Sequence, residues 1–571
     1  MNQPNPAIVA QAAARRLPRG ALLLLCLAYV LTGFIGRDAW KSADIAALGF
    51  MAELAQGSAA WLHPTLTGLT PDNPSLLPYW LGAWAMQWCP PWIAPDFWVR
   101  LPFALLLALG LAATWYGCYY LARSPRAQPV TFAFGGEALP KDYARAMADG
   151  ALLALIACLG LAQIGHETTP ELAQLGFSAL LFFALATLHY RPLASMACAC
   201  LGLLGLSLSG APTVALLYLA GGMLIHLLER NSDAETEEKD PHKTLTVALL
   251  LGSAMACAWL CARLDLWRWK VEIPKATWSE LNGIMQLLVW FTWPAWPLAL
   301  WTTWRWRRQL FSQHISRHLA LPVWFVLVTL GSMLTSNSPD RSLLLALPAM
   351  ASLAAFALPT LKRQVAALID WFTLIFFSGC GLTIWVVWIA MQTGYPSQPA
   401  ANVERLAPGF VPLFSTLAFV VAIVATLVWA WLVQWRVGRH RAAIWKSLVL
   451  PAGGATLCWM LLMTLWLPLL NYTQSYNALV AHTLERMQPA GCVETLGLSP
   501  AKAAAFQIYG KLELKPMQAR ATCPWLIAEP GEDMSAPNQV DAAQWSLLAH
   551  LHHPAEGNES VLIFRRQSAS L

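Results

Sequence analysis

The sequence predicts an all-α polytopic membrane protein with about thirteen transmembrane helices and a small extracytoplasmic α/β domain at its C-terminal end. Three observations support this fold class. First, 57% of the residues are hydrophobic and only 12% are charged, whereas soluble domains carry about 25% charged residues. Second, apolar segments of span length recur along most of the chain. Third, the loops between these segments are basic on alternate sides.

The predicted spans follow from length, because a helix needs roughly 20 mainly apolar residues to cross a ~30 Å hydrocarbon core. The first follows Arg15, Arg16 and Arg19 and is not followed by a small-residue cleavage pattern, so we expect an uncleaved helix with a cytoplasmic N-terminus. The spans lie near residues 17–36, 98–122, 149–165, 174–190, 192–209, 211–228, 244–263, 286–304, 320–336, 342–360, 367–392, 409–434 and 447–469.

The loop charges test this count. With a cytoplasmic N-terminus, the loop after each even-numbered span is also cytoplasmic, and every one of these loops is basic. A miscounted span would break the alternation from that point on. An odd number of spans places the C-terminal tail on the opposite side. The basic residues of these loops are Arg123, Arg126, Lys141, Arg145, Arg191, Arg230, Lys239, Lys243, Arg305, Arg307, Arg308, Arg317, Lys362, Arg363, Arg436, Arg439, Arg441 and Lys446.

The chain divides into a transmembrane domain, residues 1–469, and a C-terminal domain, residues 470–571. The first extracytoplasmic loop of the transmembrane domain covers residues 37–97. Within it, apolar residues at helical spacing over Ala43–Ala55 predict an amphipathic helix that lies on the membrane surface. The stripe comprises Ile45, Leu48, Met51 and Ala52.

The tail carries the signals of a small mixed α/β domain. Val493–Leu496 and Ser560–Phe564 predict strands, and Pro500–Tyr509 predicts a helix with Ser499 as its N-cap. Most of the 12 cysteines lie inside apolar spans and are expected to be small buried residues. Cys492 and Cys523 lie in the polar tail, where an extracytoplasmic location allows a disulfide bond between them.

Ionisable residues on the predicted extracytoplasmic face define the candidate site, because such groups at a membrane surface are costly and commonly functional. Asp38, just beyond the first span, is the candidate catalytic base. A carboxylate near cations suits transfer of a group from a phosphate leaving group. The other residues of this set are Arg37, Lys41, Asp44, Asp72, His166, Glu167, Glu171, Arg263, Asp265, Arg268, Lys270, Lys275, Asp340 and Arg341.

Each of these residues also has an ordinary structural interpretation. Arginine and lysine near span ends commonly extend to lipid headgroups, and Asp38 has Arg37 and Lys41 close by for a surface ion pair. His63 and His166 are isolated, so no cluster of metal ligands is predicted. The chain has neither a phosphate-binding P-loop motif nor the histidine pair of zinc proteases, which leaves nucleotide hydrolysis and zinc proteolysis unsupported.

Three stretches of the chain follow a known pattern. The first joins Asp38 to Ala43–Ile45, Trp61–Gly68 (WLHPTLTG) and Asp72–Trp80 (DNPSLLPYW). The second is His166–Phe177, and the third is Pro339–Ala349 (PDRSLLLALPA). Together they resemble the GT-C membrane glycosyltransferases, and most closely the ArnT-like branch related to the protein mannosyltransferases. The sequence departs from the family pattern at Ala39, Asn73 and Ser342, where family members carry a second acid, a lysine and a tyrosine.

The resemblance implies an inverting glycosyltransferase in a bacterial inner membrane, with its tail in the periplasm. Its donor would be a sugar on polyprenyl (undecaprenyl) phosphate, and its acceptor a lipid A-like lipid, a glycan or a protein. Asp38 would deprotonate or orient the acceptor, and Arg341 with one or more of Arg268, Lys270 and Lys275 would hold the leaving phosphate. The further candidate substrate-binding residues are Arg37, Lys41, Asp44, Asp72, His166 and Glu171. No cofactor is expected, although Mg²⁺ or Mn²⁺ bridging Asp38 and a phosphate is compatible with the residues.

Two other classes stay open. A secondary transporter would place charges near mid-bilayer and show repeated halves, and neither pattern is evident here. A non-catalytic partner of envelope glycan assembly is favoured by the departures at Ala39 and Asn73. Replacement of Asp38 distinguishes an enzyme from both.

Overall fold

The computed structural model describes residues 5–229, 241–267, 277–312, 314–335, 339–438, 443–487, 492–518, 520–530 and 540–567. The helices of these ranges are α1 Arg19–Thr32, α2 Ala43–Gln56, α3 Leu77–Gln87, α4 Pro95–Ala122, α5 Pro140–Ala157, α6 Leu159–Ile164, α7 Pro170–Thr187, α8 Pro192–Leu208, α9 Pro212–Leu228, α10 Pro241–Arg263, α11 Trp278–Phe291, α12 Ala295–Arg305, α13 Arg307–Leu310, α14 Arg317–Met333, α15 Pro339–Leu343, α16 Leu347–Ala357, α17 Arg363–Thr393, α18 Ser397–Leu406, α19 Thr416–Gly438, α20 Lys446–Leu465, α21 Leu467–Gln474, α22 Asn477–Arg486 and α23 Pro500–Ile508. The strands are β1 Val493–Leu496, β2 Leu514–Pro516, β3 Trp525–Ala528, β4 Trp545–His553 and β5 Glu556–Arg566.

The chain is a multi-pass membrane protein, and a helix lies at each of the predicted spans. Seven helices in the described ranges are long and apolar enough to cross a bilayer, and a bent pair of helices would make eight. Four more apolar helices, α1, α8, α9 and α14, are shorter than a full span. The count of thirteen therefore stays a prediction, whereas the polytopic α-helical class is confirmed.

The predicted span at 286–304 is not one straight helix. Helices α11 and α12 meet there at 91°. Pro294 lies between them at the N-cap of α12, and a proline has no N–H to continue the hydrogen bonds of α11. The predicted span at 149–165 is likewise divided, because the backbone of Cys158 is extended between α5 and α6.

The chain forms two compact units. The first comprises residues Met1–Phe34, Phe103–Gly381 and Val421–Leu461, and the second comprises Ile35–Pro102, Leu382–Val420 and Leu462–Leu571. The interior of the first unit is built around α16, which is buried along its whole length and packs against α5, α12 and α14. Its sequence, LPAMASLAAFA, is rich in small residues, which allow neighbouring helices to approach closely.

In the second unit, α2 corrects the expectation of a surface helix. The predicted helix is present, but it is buried from Ala47 to Leu54 rather than along one stripe, because α3 and α23 both pack against it. Gly49 allows this close approach: a Cβ built at Gly49 would lie 2.6 Å from the Cβ of Ala504 in α23. The helix ends at Gly57, which adopts the left-handed conformation that favours glycine.

The tail contains a five-stranded sheet in the order β2-β1-β3-β5-β4. Strand β1 is parallel to β2 and β3, whereas β5 is antiparallel to β3 and β4. Helix α23 connects β1 to β2, as a parallel pair requires. Sequence analysis found β1, part of β5 and α23, and it missed the other strands. Ser499 lies at the N-cap of α23, but its side chain makes no capping hydrogen bond.

A disulfide bond joins Cys492, next to β1, to Cys523, next to β3. The two Cα atoms lie 5.2 Å apart. Because β1 and β3 are neighbours in the sheet, the covalent bond secures the centre of the tail domain.

Replacing Gly49 by alanine tests the close approach of α2 and α23. At an uncrowded helix position, replacing glycine with alanine stabilises the folded protein by about 1 kcal/mol. Here the new methyl group would force α2 and α23 apart, and overpacking of this kind destabilises the folded protein by about 1–3 kcal/mol. We expect G49A to lower the thermal midpoint of the purified protein. G20A is the matched control, since no atom lies within 4 Å of a Cβ at Gly20. Equal midpoints for G49A and G20A would contradict this packing.

Candidate active site

Asp38 lies in the loop between α1 and α2 and is held there by helix α21. Asn471 makes three contacts with this loop: its side-chain oxygen accepts from the backbone N–H of Asp38 and from Nε1 of Trp40, both at 3.1 Å, and its Nδ2 donates to the carbonyl of Gly36 at 3.1 Å. The hydroxyl of Ser475 donates to the carboxylate of Asp38 at 3.2 Å. The candidate base is therefore fixed by side chains from far along the chain.

Tyr509, from the end of α23, holds the next residue. Its hydroxyl oxygen accepts from the N–H of Ala39 at 3.0 Å and donates to the carbonyl of the same residue at 3.3 Å. Burial and the nearby Asp38 carboxylate raise the pKa of Tyr509, which keeps the hydroxyl protonated and able to donate. The tail domain therefore helps to orient the loop that carries Asp38.

Burial raises the pKa of Asp38 above its usual range, because desolvation disfavours the carboxylate. Hydrogen bonds from Ser475 and Asn477 and the charge of Arg100 oppose this shift. The carboxyl group is only half-buried. A partly desolvated carboxylate whose pKa is raised is a better proton acceptor than an exposed one.

Arg37 and Asp44 form a buried ion pair beside Asp38. Nη2 of Arg37 lies 2.6 Å from Oδ2 of Asp44, and the two side chains are 1% and 2% exposed. The guanidinium also lies over the ring of Trp40, 4.5 Å from its centroid, and Asp44 accepts from the N–H of Trp40. Because the Asp44 carboxylate is used in the interior, we reassign Asp44 from substrate binding to positioning Arg37.

Arg37 keeps donors that this pair does not use. Its Nε and Nη1 are buried and make no hydrogen bond to any described residue. Arg100, near the start of α4, is 5% exposed and acts on the same carboxylates, Asp38 and Asp44. Sequence analysis missed Arg100, although an arginine inside an apolar span is a recognisable signal of function.

Lys41 and Asp72 lie in different surroundings. Nζ of Lys41 forms an ion pair with Glu556 of the tail at 2.9 Å. The backbone N–H of Lys41 donates to the carbonyl of Gln474 at 2.8 Å. Asp72 is exposed in the loop before α3, and it makes no hydrogen bond or ion pair within the described part of the chain. Lys41 is thus placed next to the Asp38 loop, and nothing groups Asp72 with it.

An apolar cavity of about 490 Å³ lies in the same unit. Leu406, Trp466, Leu469 and Leu470 are among its apolar lining residues, and Gln474 and Glu556 are among its polar ones. Both of these polar residues contact Lys41. The cavity therefore shares two lining residues with the contacts of Lys41.

In the first unit, Arg341 is held between two acids. Its Nη2 lies 2.8 Å from Oε2 of Glu167, and its Nη1 lies 3.5 Å from Oε2 of Glu171. The side chain of Glu167 is only 3% exposed, whereas those of Arg341 and Glu171 are 17% and 15% exposed. The predicted residues Arg341 and Glu171 are therefore brought together, with Glu167 as the closest partner of the arginine.

His166 corrects the expectation of a substrate-binding histidine. The residue is 1% exposed, and its ring nitrogens face the carbonyl oxygens of Ala162 at 2.6 Å and Tyr29 at 3.0 Å. The ring packs against Trp459, and a Cβ at Gly33 would lie 2.3 Å from it. Because the ring is enclosed by aromatic side chains and backbone, we reassign His166 to the packing of the first unit. The predicted cations Arg268, Lys270 and Lys275 lie outside the described residues.

Comparison with known proteins identifies the fold. A crystal structure of ArnT from Cupriavidus metallidurans bound to undecaprenyl phosphate matches over 97% of this chain and 99% of that chain, with a TM-score of 0.59 and 13% sequence identity. The apo form of the same protein matches over 96% and 98%, with a TM-score of 0.56 and 13% identity. No family model and no curated protein sequence matches the chain.

The chain is therefore a multi-pass membrane protein with a fold of the GT-C type. More particularly, its fold is that of the glycosyltransferase ArnT, and this is the fold that the sequence motifs around Asp38 and Arg341 led us to expect. At 13% identity the likeness concerns the fold alone.

Removing Arg341 is expected to destabilise the first unit. R341Q leaves the buried carboxylate of Glu167 without its arginine, and breaking a buried pair in this way costs about 3–5 kcal/mol. The double variant E167Q/R341Q removes both charges and should recover much of that loss, which a double-mutant cycle of unfolding free energies measures. Equal destabilisation by R341Q and the double variant would contradict the ion pair.

Proposed function

We propose that this protein is a glycosyltransferase that moves a sugar from a polyprenyl phosphate to an acceptor hydroxyl, with Asp38 as the base. The observation that carries the proposal is the environment of Asp38. It is a half-buried carboxylate with a raised pKa, oriented by Asn471 and Ser475, in a fold that has been solved with undecaprenyl phosphate bound in another protein.

The reaction needs few protein groups. Asp38 accepts the proton of the acceptor hydroxyl, the acceptor oxygen bonds to the anomeric carbon, and the bond from that carbon to the phosphate oxygen breaks. Attack on the face opposite the leaving group inverts the anomeric configuration. The electron pair of the broken bond leaves with the polyprenyl phosphate, so cations near that oxygen lower the barrier.

Arg37 and Arg100 are two buried cations of the second unit that lie near Asp38. The unused donors of Arg37 suit a phosphate oxygen, and its pairing with Asp44 holds the guanidinium rigid before any substrate arrives. Fixed donors need no reorganisation when charge develops on the leaving group. Lys41 adds a third cation, which Glu556 restrains.

The donor is proposed to place its hydrocarbon chain in the apolar cavity. The apolar lining residues Leu406, Trp466, Leu469 and Leu470 suit a prenyl chain, and Gln474, which also lines the cavity, supplies a polar group for the headgroup. A membrane-soluble donor also fits a chain without a phosphate-binding P-loop.

The resemblance assigns Arg341 to the donor phosphate as well, and we propose this role together with a periplasmic location of the reaction. The acids at Glu167 and Glu171 then keep the arginine oriented. Arg341 belongs to the first unit, so its role is tested independently of Asp38. The double variant E167Q/R341Q is the appropriate background, because it avoids an isolated buried carboxylate.

Turnover of a lipid-linked sugar tests the proposal. Purified protein in nanodiscs is incubated with a panel of radiolabelled polyprenyl-phosphate sugars and candidate acceptors, with and without a chelator of Mg²⁺ and Mn²⁺. We expect the wild type to release polyprenyl phosphate and D38N to be at least ~100-fold slower, because general base catalysis contributes 10²–10⁴-fold.

E485Q is the control, since Glu485 is an exposed acid in α22 of the same unit and has no assigned part in the site. It should retain turnover within a few-fold of the wild type. Equal activity of D38N and wild type would contradict the role of Asp38. Folded, monodisperse wild-type protein that releases no polyprenyl phosphate from any donor would count against the transferase itself.

The pH dependence of turnover reports on Asp38. The base acts only when ionised, so kcat/KM falls as the pH falls through its pKa. Because burial raises that pKa, the acid limb should lie above the ~3.9 of an unperturbed aspartate. S475A removes a hydrogen bond that lowers the pKa, and we expect its acid limb at higher pH than that of the wild type. S58A is the control, and identical limbs for wild type and S475A would contradict this assignment.

A further inference from the structure

Three metal-ligand side chains meet at one end of the helices of the first unit. His189 follows α7, His226 lies in the last turn of α9, and Glu229 is the residue that ends α9. One ligand atom from each lies within 4.8 Å of the other two. The two imidazole rings lie 4.6 Å apart, and Nε2 of His189 is 3.5 Å from Oε2 of Glu229.

The local sequence explains part of this arrangement. His226 and Glu229 are three residues apart at the end of α9, so they project from the same side of the helix. Sequence analysis missed the cluster because His189 is distant in the chain and reaches the pair only when α7 packs beside α9. Two imidazole nitrogens and one carboxylate oxygen form a donor set that zinc takes in proteins.

This cluster is separate from the ion pairs around Arg341 in the same unit. Within the first unit, Glu171 lies in the first turn of α7, and His189 follows the last turn. A helix of 18 residues is about 27 Å long at 1.5 Å per residue. A metal bound by His189 is therefore too far from the acids around Arg341 to share a ligand with them.

Arg317 is the feature that a metal would have to displace. Its guanidinium donates to Nδ1 of His189, and its Nε lies 3.7 Å from Oε2 of Glu229. The side chain is 4% exposed and lies over the ring of Tyr190. Arg317 thus supplies the positive charge that the two ligands face in the structure described.

We propose that His189, His226 and Glu229 bind one divalent transition-metal ion, with zinc as the best fit. Tetrahedral ligation at 2.0–2.2 Å brings ligand atoms to about 3.3 Å from one another, so separations of up to 4.8 Å between them close by as much as about 1.5 Å. His189 is 27% exposed in its side chain, which leaves water access to complete the coordination.

Metal binding and the arginine contact compete. A neutral His189 that accepts from Arg317 at Nδ1 carries its proton on Nε2, the nitrogen that faces Glu229. To bind metal at Nε2, His189 adopts the other tautomer, in which its single proton lies on Nδ1, and Arg317 no longer donates to that nitrogen. A metal-bound histidine commonly donates its second N–H in this way. Removal of the arginine should therefore strengthen metal binding.

The test measures zinc directly and does not depend on any turnover. Untagged full-length protein in detergent is stripped with a chelator, equilibrated with buffered zinc and analysed for metal content. Cobalt substitution gives an independent spectroscopic signal of nitrogen and oxygen ligation. We expect about one zinc per chain for the wild type, at least ~10-fold weaker binding for H226A and E229Q, and at least ~10-fold tighter binding for R317Q.

Two controls make the result decisive. H550A/H552A removes the histidine pair of β4, whose rings lie 4.3 Å apart, and it should leave the stoichiometry unchanged. If H226A fails to fold, H189A replaces it in the test, because His189 is more exposed and its loss leaves the packing of the interior unchanged. Wild-type protein that takes up no zinc overturns the proposal, as does zinc that persists in H189A and E229Q or is lost only in H550A/H552A.

Discussion

The buried ion pair between Arg37 and Asp44 is the constraint on which the candidate site depends. Taking two charges out of water is costly, and only close contact and further hydrogen bonds offset that cost. Here the contact is 2.6 Å, and the same carboxylate also accepts from the backbone of Trp40. The residues between Arg37 and Asp44 in the chain therefore have little conformational freedom. Asp38 follows Arg37 directly and inherits a fixed position from it.

Three of the predicted site cations are paired with acids in the described part of the chain. Arg37 faces Asp44, Lys41 faces Glu556, and Arg341 faces Glu167 and Glu171. Each ion pair weakens the attraction of the cation for an anionic ligand, but it fixes the orientation of the N–H donors. A rigid donor stabilises a transition state more than a ground state when charge develops at the position it already faces. A flexible donor can adjust to either state and stabilises both about equally. The arrangement thus suits a catalyst that must release a charged phosphate afterwards.

The sequence predicted the membrane class and the positions of the helices, because apolar length is a local property of the chain. It also singled out Asp38, whose catalytic role stays a prediction. It could not predict that α2 is buried on most sides, since that depends on α23 from the tail. His166 looked like a surface group, and its enclosure by Trp459 is visible only in three dimensions. Asn471, Ser475 and Tyr509 carried no motif, and their importance comes from contacts across several hundred residues.

These contacts join residues that are far apart in the sequence, so the site around Asp38 can form only late in synthesis. Asp38 is bonded to Asn471 across 433 positions, and Ala39 to Tyr509 across 470. At 5–20 residues per second, a ribosome needs roughly 20–90 s to travel that distance. During that interval the nascent chain already exposes Asp38 but lacks the groups that orient it. Asp38 thus acquires its environment only when synthesis is nearly complete.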